Sequence, residues 1–187
     1  MDAGQIKEIQ RRIGTTTDGF WGPKSEAAVR VHLRSLMPKK NPWPATDQAS
    51  LTAFYGEPGD ESQLVFADVS GLGLKYDVVP VHRIRCHAKV ADSLVRVLRA
   101  VSQGPDRHLL QLYAGVYNNR LMRGGSLPSL HARGAAIDID PGANANATHW
   151  PSKATMPLAV MECFAREGWL SAGAMWSRDA MHFQATL

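Results

Sequence analysis

Three prolines within seven residues, Pro38, Pro42 and Pro44, together with Lys39 and Lys40, interrupt the chain near its first fifth. Proline lacks a backbone N–H and holds φ near one value, so the stretch MPKKNPWPAT supports neither helix nor strand and marks a linker. It divides the 187 residues into a small segment (1–40), a linker (41–48) and a larger segment (49–187). The larger segment, of roughly 140 residues, is a usual size for one hydrophobic core, which leaves the smaller as an accessory module. A content of 44% hydrophobic and 20% charged residues excludes a disordered, collagenous or coiled-coil chain.

The net charge of +4 is unevenly distributed. Residues 1–40 hold eight Lys or Arg against four Asp or Glu, and the remainder holds thirteen of each. A basic module beside a neutral one suits a polyanionic partner such as nucleic acid, anionic lipid or cell-wall polymer, although +4 is also a common solubility charge. The start, MDAGQIKEIQRR, lacks the apolar core of a secretory signal, and nowhere is there an apolar run long enough to span a membrane. The expectation is a soluble monomer with no signal peptide and no stable membrane insertion. Cys86 and Cys163 allow at most one bridge, and a reducing compartment suits them.

Ile6, Ile9 and Ile13 recur on one helical face, and after the turn Asp18-Gly19-Phe20-Trp21-Gly22 a second helix opens at Pro23 with Val29, Leu33, Leu36 and Met37 as its stripe. Beyond the linker, residues 51–76 read as irregular and Val78 to Ile84 as β-prone. Val90 to Val101 reads as a helix, Leu109 to Tyr117 and Ala135 to Ile139 as strands, Pro157 as a helix start, and Met181 to Ala185 as a last strand. The fold class is α+β: a domain with an antiparallel sheet and flanking helices, preceded by a short helical module.

Two clusters carry candidate chemistry: Ser129-Leu130-His131-Ala132-Arg133-Gly134-Ala135-Ala136-Ile137-Asp138, and Asp179-Ala180-Met181-His182. Hydrolytic zinc takes three protein ligands from His and carboxylates, a count that His131, Asp138 and His182 meet. His131 and Asp138 are an odd number of residues apart, so a straight strand would turn them to opposite faces. Convergence requires a bend, for which Gly134 is the permissive residue. The pair Asp179 and His182 likewise requires a turn. Asp140, on the same strand face as Asp138, is an alternative ligand. Asp179 would accept a proton from attacking water and deliver it to the leaving amine. Arg120 or Arg123 would stabilise the tetrahedral intermediate, with Ser129 as a further donor. The reaction would be amide hydrolysis.

The run Tyr117-Asn118-Asn119-Arg120-Leu121-Met122-Arg123-Gly124-Gly125, then S-x-H-x-x-G-x-A-x-D, then D-x-x-H before an aromatic, resembles zinc peptidases of the D-Ala-D-Ala carboxypeptidase type. These include the L-alanyl-D-glutamate peptidases that serve as bacteriophage endolysins. The resemblance covers residues 50 to 187. It implies zinc on His131, Asp138 and His182, Asp179 as acid/base, and an arginine ahead of the motif, Arg120 or Arg123, on the substrate or transition state. Many members carry Glu where this chain has Asp179. The segment Ile9 to Gly14 with Asp18 to Val29 resembles the helical peptidoglycan-binding module found beside wall hydrolases, which usually packs three helices; no third helix is evident before the linker.

Together these resemblances imply a phage endolysin that lyses the host by cutting the stem peptide of peptidoglycan, with L-Ala to D-Glu the first choice of bond. A D,D-carboxypeptidase or cross-link endopeptidase is the alternative. Such an enzyme would wait in the host cytoplasm and act on the wall in the periplasm once the membrane is permeabilised. The rivals are a cysteine amidase built on Cys86 and His87, a non-catalytic wall-binding protein, and nucleic-acid binding by the basic helices. The D-G-F-W-G-P turn weighs against the last, and no nucleic-acid partner is expected.

Overall fold

Two local devices build the first helices. Helix α1 (Ala3–Arg12) opens on a reciprocal cap, in which the Asp2 carboxylate accepts from the Gln5 backbone and the Gln5 side chain accepts from the Asp2 backbone. Helix α2 (Pro23–Leu36) starts on Pro23, where the missing N–H costs no helical bond. The intervening turn is held by buried Gln10, whose amide donates to Asp18 Oδ1 at 2.8 Å and Phe20 O at 2.9 Å and accepts from Gly19 N at 2.8 Å. Phe20 is left 73% exposed. Trp21 packs edge-on against Trp150 at 5.1 Å, so the two aromatics of this turn face different surroundings.

The computed structural model describes all residues, 1–187. After the irregular stretch come α3 (Gln48–Tyr55), β1 (Leu64–Asp68), β2 (Lys75–Tyr76), β3 (Val79–Pro80), β4 (Arg83–His87), α4 (Ala91–Ser102), β5 (Tyr113–Gly115), β6 (Ala136–Ile139), α5 (Pro141–Asn144), α6 (Leu158–Arg166), β7 (Leu170–Ser171), α7 (Ala172–Trp176) and β8 (His182–Gln184). The central sheet is antiparallel in the order β5-β6-β8-β7, and β1 pairs with β4 and β2 with β3 in two further antiparallel ribbons. This is an α+β architecture of small antiparallel sheets and packed helices. No helix is long and apolar enough to cross a membrane.

Residues 51–76 are more regular than their glycines imply. Asp47 caps α3 by accepting from Ser50 N, Gly56 closes it, and β1 follows a single 3-10 turn. Conversely, the expected strand from Leu109 is a 3-10 turn over Arg107–Leu112, and only Tyr113–Gly115 is extended. Buried Leu109 and Leu110 are there supplied to the core by consecutive positions of a turn, which a period-two pattern does not capture.

The proline-rich stretch has no helix or strand and is largely exposed, but Asn41 and Trp43 anchor it to the larger segment. Trp43 is buried against Trp169 and donates its indole N–H to Glu167 O at 2.9 Å, and the Asn41 amide donates to Gly168 O at 2.9 Å. One apolar core joins Ile9, Ile13, Val29 and Leu33 of the first helices to Phe164, Trp169 and Phe183 of the larger segment. The α2–α6 contact carries an ionic cluster. Glu162, only 2% exposed, accepts from Arg12 Nε at 2.7 Å, again from the Arg12 terminal nitrogen, and from His32 Nε2 at 2.8 Å.

Candidate metal centre and cleft

Ser129 opens a single 3-10 turn, Leu130–Arg133, by accepting from His131 N at 3.3 Å. Gly134 ends the turn at φ 66°, and a Cβ there would lie 2.8 Å from His87 N, so both backbone sign and space call for glycine. The buried Arg133 guanidinium fixes the turn to α3 and its C-cap, donating to Gly56 O, Gln48 Oε1 and Thr52 Oγ1 at 2.9–3.1 Å. The chain then enters β6, where Asp138 stands opposite His182 of β8. Ahead of β8, Asp179 takes φ 58° and its carbonyl accepts from His182 N at 2.9 Å, forming the tight turn that starts the strand.

These bends bring three ligand atoms into a triangle. His131 Nε2 lies 3.2 Å from Asp138 Oδ1, His182 Nδ1 lies 3.0 Å from the same oxygen, and the two ring nitrogens are 3.1 Å apart. The outer nitrogens are engaged elsewhere: His131 Nδ1 donates to Val116 O at 2.7 Å, and His182 Nε2 donates to Gln184 Oε1 at 3.1 Å. Neutral rings held this way turn their lone pairs toward a carboxylate, leaving three acceptors facing one another. Positive charge must sit among them, as extra ring protons or as a cation. Ligands around a tetrahedral ion with bonds of about 2.0 Å stand about 3.3 Å apart, close to the spacing here, so the donor set and its spacing fit zinc.

The electrostatics agree. Burial alone would raise Asp138, yet the hydrogen bonds and charge of the two histidines hold it well below the usual carboxylate range. Burial would lower His182, but its bond to Asp138 and the charges of Asp138 and Asp179 raise it.

Asp179 differs from Asp138. Burial raises its carboxyl, only partly opposed by His182, and Oδ1 is buried with no hydrogen-bond partner. A non-glycine residue in left-handed backbone with an orphaned carboxylate oxygen is a strained arrangement of the kind concentrated at functional sites. The triangle and Asp179 line a cleft of about 370 Å³, rimmed by Arg120, Arg123, Arg178 and Trp176. Arg120 is half-buried and donates to Leu121 O at 3.1 Å, whereas Arg123 is exposed on the loop. Trp176 stacks beside His182, with ring centroids 6.4 Å apart.

Several other candidates lie outside this constellation. Asp140 accepts from Asn144 Nδ2 at 2.8 Å and is not part of the triangle. His87 is occupied on both nitrogens, with Nε2 donating to Tyr55 O and Nδ1 accepting from Lys89 N. The Cys86 thiol beside it is fully buried and pushed up to about 12, by burial first and by Asp92 second, and with both His87 nitrogens taken the two do not form a Cys-His dyad. Cys86 and Cys163 are unpaired.

Arg178, Gln184 and Arg133 were not singled out from the sequence. Gln184 had a usable signal, since a residue two after His182 on a strand shares its face. Arg178 also had one, since it directly precedes Asp179; Arg133 had none, because its partners on and just after α3 lie some 80 residues back. No curated protein and no solved structure matches this chain, whereas residues 123–185, which hold Arg123, Ser129, the three triangle residues and Asp179, match the family model described as D-alanyl-D-alanine carboxypeptidase.

Proposed function

We propose that this chain is a zinc-dependent peptidase acting on the stem peptide of peptidoglycan, and that it serves as a bacteriophage endolysin. The observation that carries the reading is the triangle of three acceptor atoms, 3.0–3.2 Å apart, whose outer ring nitrogens are already satisfied. The family match supports a peptidoglycan-directed metallopeptidase at the level of the family.

Zinc held by His131, Asp138 and His182 would supply Lewis acidity that polarises the scissile carbonyl and makes water a nucleophile near neutral pH. Asp179 takes the proton from the attacking water on its unpartnered Oδ1 and returns it to the leaving amine nitrogen. Arg120 or Arg123 donates to the carbonyl oxygen as negative charge develops there. Ser129, whose hydroxyl caps the His131 turn, is a further donor in the cleft wall. Trp176 forms an apolar wall of the cleft.

The bond is taken as L-Ala to D-Glu, and the helical segment 1–40 as a wall-binding module. A D-Ala terminal bond is the second reading, favoured by the family model's description. Purified walls treated with the full chain, with fragments identified by mass spectrometry, separate the two. Activity that survives exhaustive chelation would sink both.

A further inference from the structure

A second cavity, of about 740 Å³, opens beside the cleft and shares with it the walls Met122, Leu130, Trp176 and Gln184. Its far side is made by helix α2, through Arg30 and Arg34. The first helices therefore form part of one surface with the candidate metal centre. Arg30 Nε donates to Ala174 O at 3.3 Å, which ties α2 to the short helix that carries Trp176, the wall common to both cavities.

The charges of this groove are unequal in availability. Asp47, the acidic side chain of its lining, caps α3 by accepting from Ser50 N at 2.9 Å and keeps its charge, set against the two guanidinium groups of Arg30 and Arg34. Arg30 faces Glu26 at 3.5 Å as well as Ala174. Arg34 is exposed and pairs with no carboxylate. Apolar surface from Met122, Leu127 and Trp176 separates it from the arginines of the cleft. A ligand lying along this track meets the candidate metal centre, an apolar stretch, and then a guanidinium that pairs with no carboxylate. That sequence fits an extended peptide with small apolar residues and a free carboxylate displaced from the reacting amide.

We infer that α2 supplies a distal subsite of the cleft, in which Arg34 binds a substrate carboxylate, so that segment 1–40 takes part directly in recognising the acidic stem peptide. The inference rests on the peptidase reading above, but its test does not require turnover.

The experiment measures equilibrium binding of a synthetic stem peptide with free carboxylates to the zinc-loaded full chain, in an Asp179→Asn background. Arg34→Glu is expected to weaken binding about tenfold, and Arg34→Lys, which keeps the charge, no more than about twofold. The same peptide with its carboxylates amidated should bind with equal, weaker affinity to the parent and to Arg34→Glu. Unchanged affinity in Arg34→Glu, an equal loss with the amidated peptide, or no binding by the parent overturns the subsite. Turnover of the same peptide by the unmodified chain is read separately: its absence, with the Arg34 effect intact, would overturn the peptidase reading alone.

Discussion

Glu162 is buried and Asp179 is half-buried with one oxygen sealed from water, yet the protein treats the two in opposite ways. Glu162, on α6, is closed in by Arg12 and His32 from the first two helices, and its oxygens are saturated by donors from far along the chain. Asp179, on the cleft floor, has an oxygen without a partner, left-handed backbone and a carboxyl raised by burial. The same division separates the histidines: both nitrogens of His87 are used within the chain, whereas His131 and His182 each use one and turn the other toward the triangle. Where the fold meets a polar group's needs, that group holds structure together. Where it leaves them unmet, the missing partner comes from outside.

The comparison breaks most visibly at the triangle. His131→Ala should abolish hydrolysis, and chelation of the unmodified chain should do the same, with zinc restoring only the latter; zinc content and fragment release are the measurements. His87→Ala, by contrast, should retain zinc and turnover but lose about 2 kcal/mol of stability, because Tyr55 O and Lys89 N would be stranded. Equal zinc loss in both variants would erase the distinction.

Asp179→Asn should lower kcat by about 10²- to 10⁴-fold while zinc remains bound. In the metal-free chain its stability should hold or rise at neutral pH. A raised folded-state carboxyl contributes stability below the unfolded-state pKa and loses it as pH climbs through the folded value. Asparagine, always neutral, removes that loss. The rate of the unmodified enzyme should fall on acidification, since protonated Asp179 is no base.

Glu162→Gln inverts the pattern. We expect a loss of about 2 kcal/mol in denaturant unfolding, moderated because Arg12 is half exposed, with kcat within about twofold. A large fall in kcat would mean that the helix interface reaches into the chemistry itself.

How far the sequence foretold this depends on the range of the interaction. Strong 3.6-residue periodicity located α1, α2, α4 and α6, and the odd spacing from His131 to Asp138 required a bend, with Gly134 the permissive residue, if the two were to converge. Weakly amphipathic α3 escaped because only its Asp47 cap and Gly56 stop distinguish it from loop. The Glu162 cluster joins residues 150 and 130 positions apart, and the Arg133 anchor reaches some 80 residues back; neither leaves a local trace. Arg178 reaches the cleft rim from a turn whose residues carry no periodic pattern.

The smallest effect is expected at Cys86. The thiol is fully buried in the core, its acidity is suppressed, and the adjacent His87 ring is committed to Tyr55. Cys86→Ala should therefore leave kcat and zinc content unchanged and cost about 1 kcal/mol of stability through the small space it opens. Thiol reagents should leave the rate of the unmodified chain intact under native conditions. Inactivation by such a reagent that Cys86→Ala abolishes would show that a saturated, buried group can still carry chemistry here, and the rule drawn from Glu162 and Asp179 would fail at its simplest case.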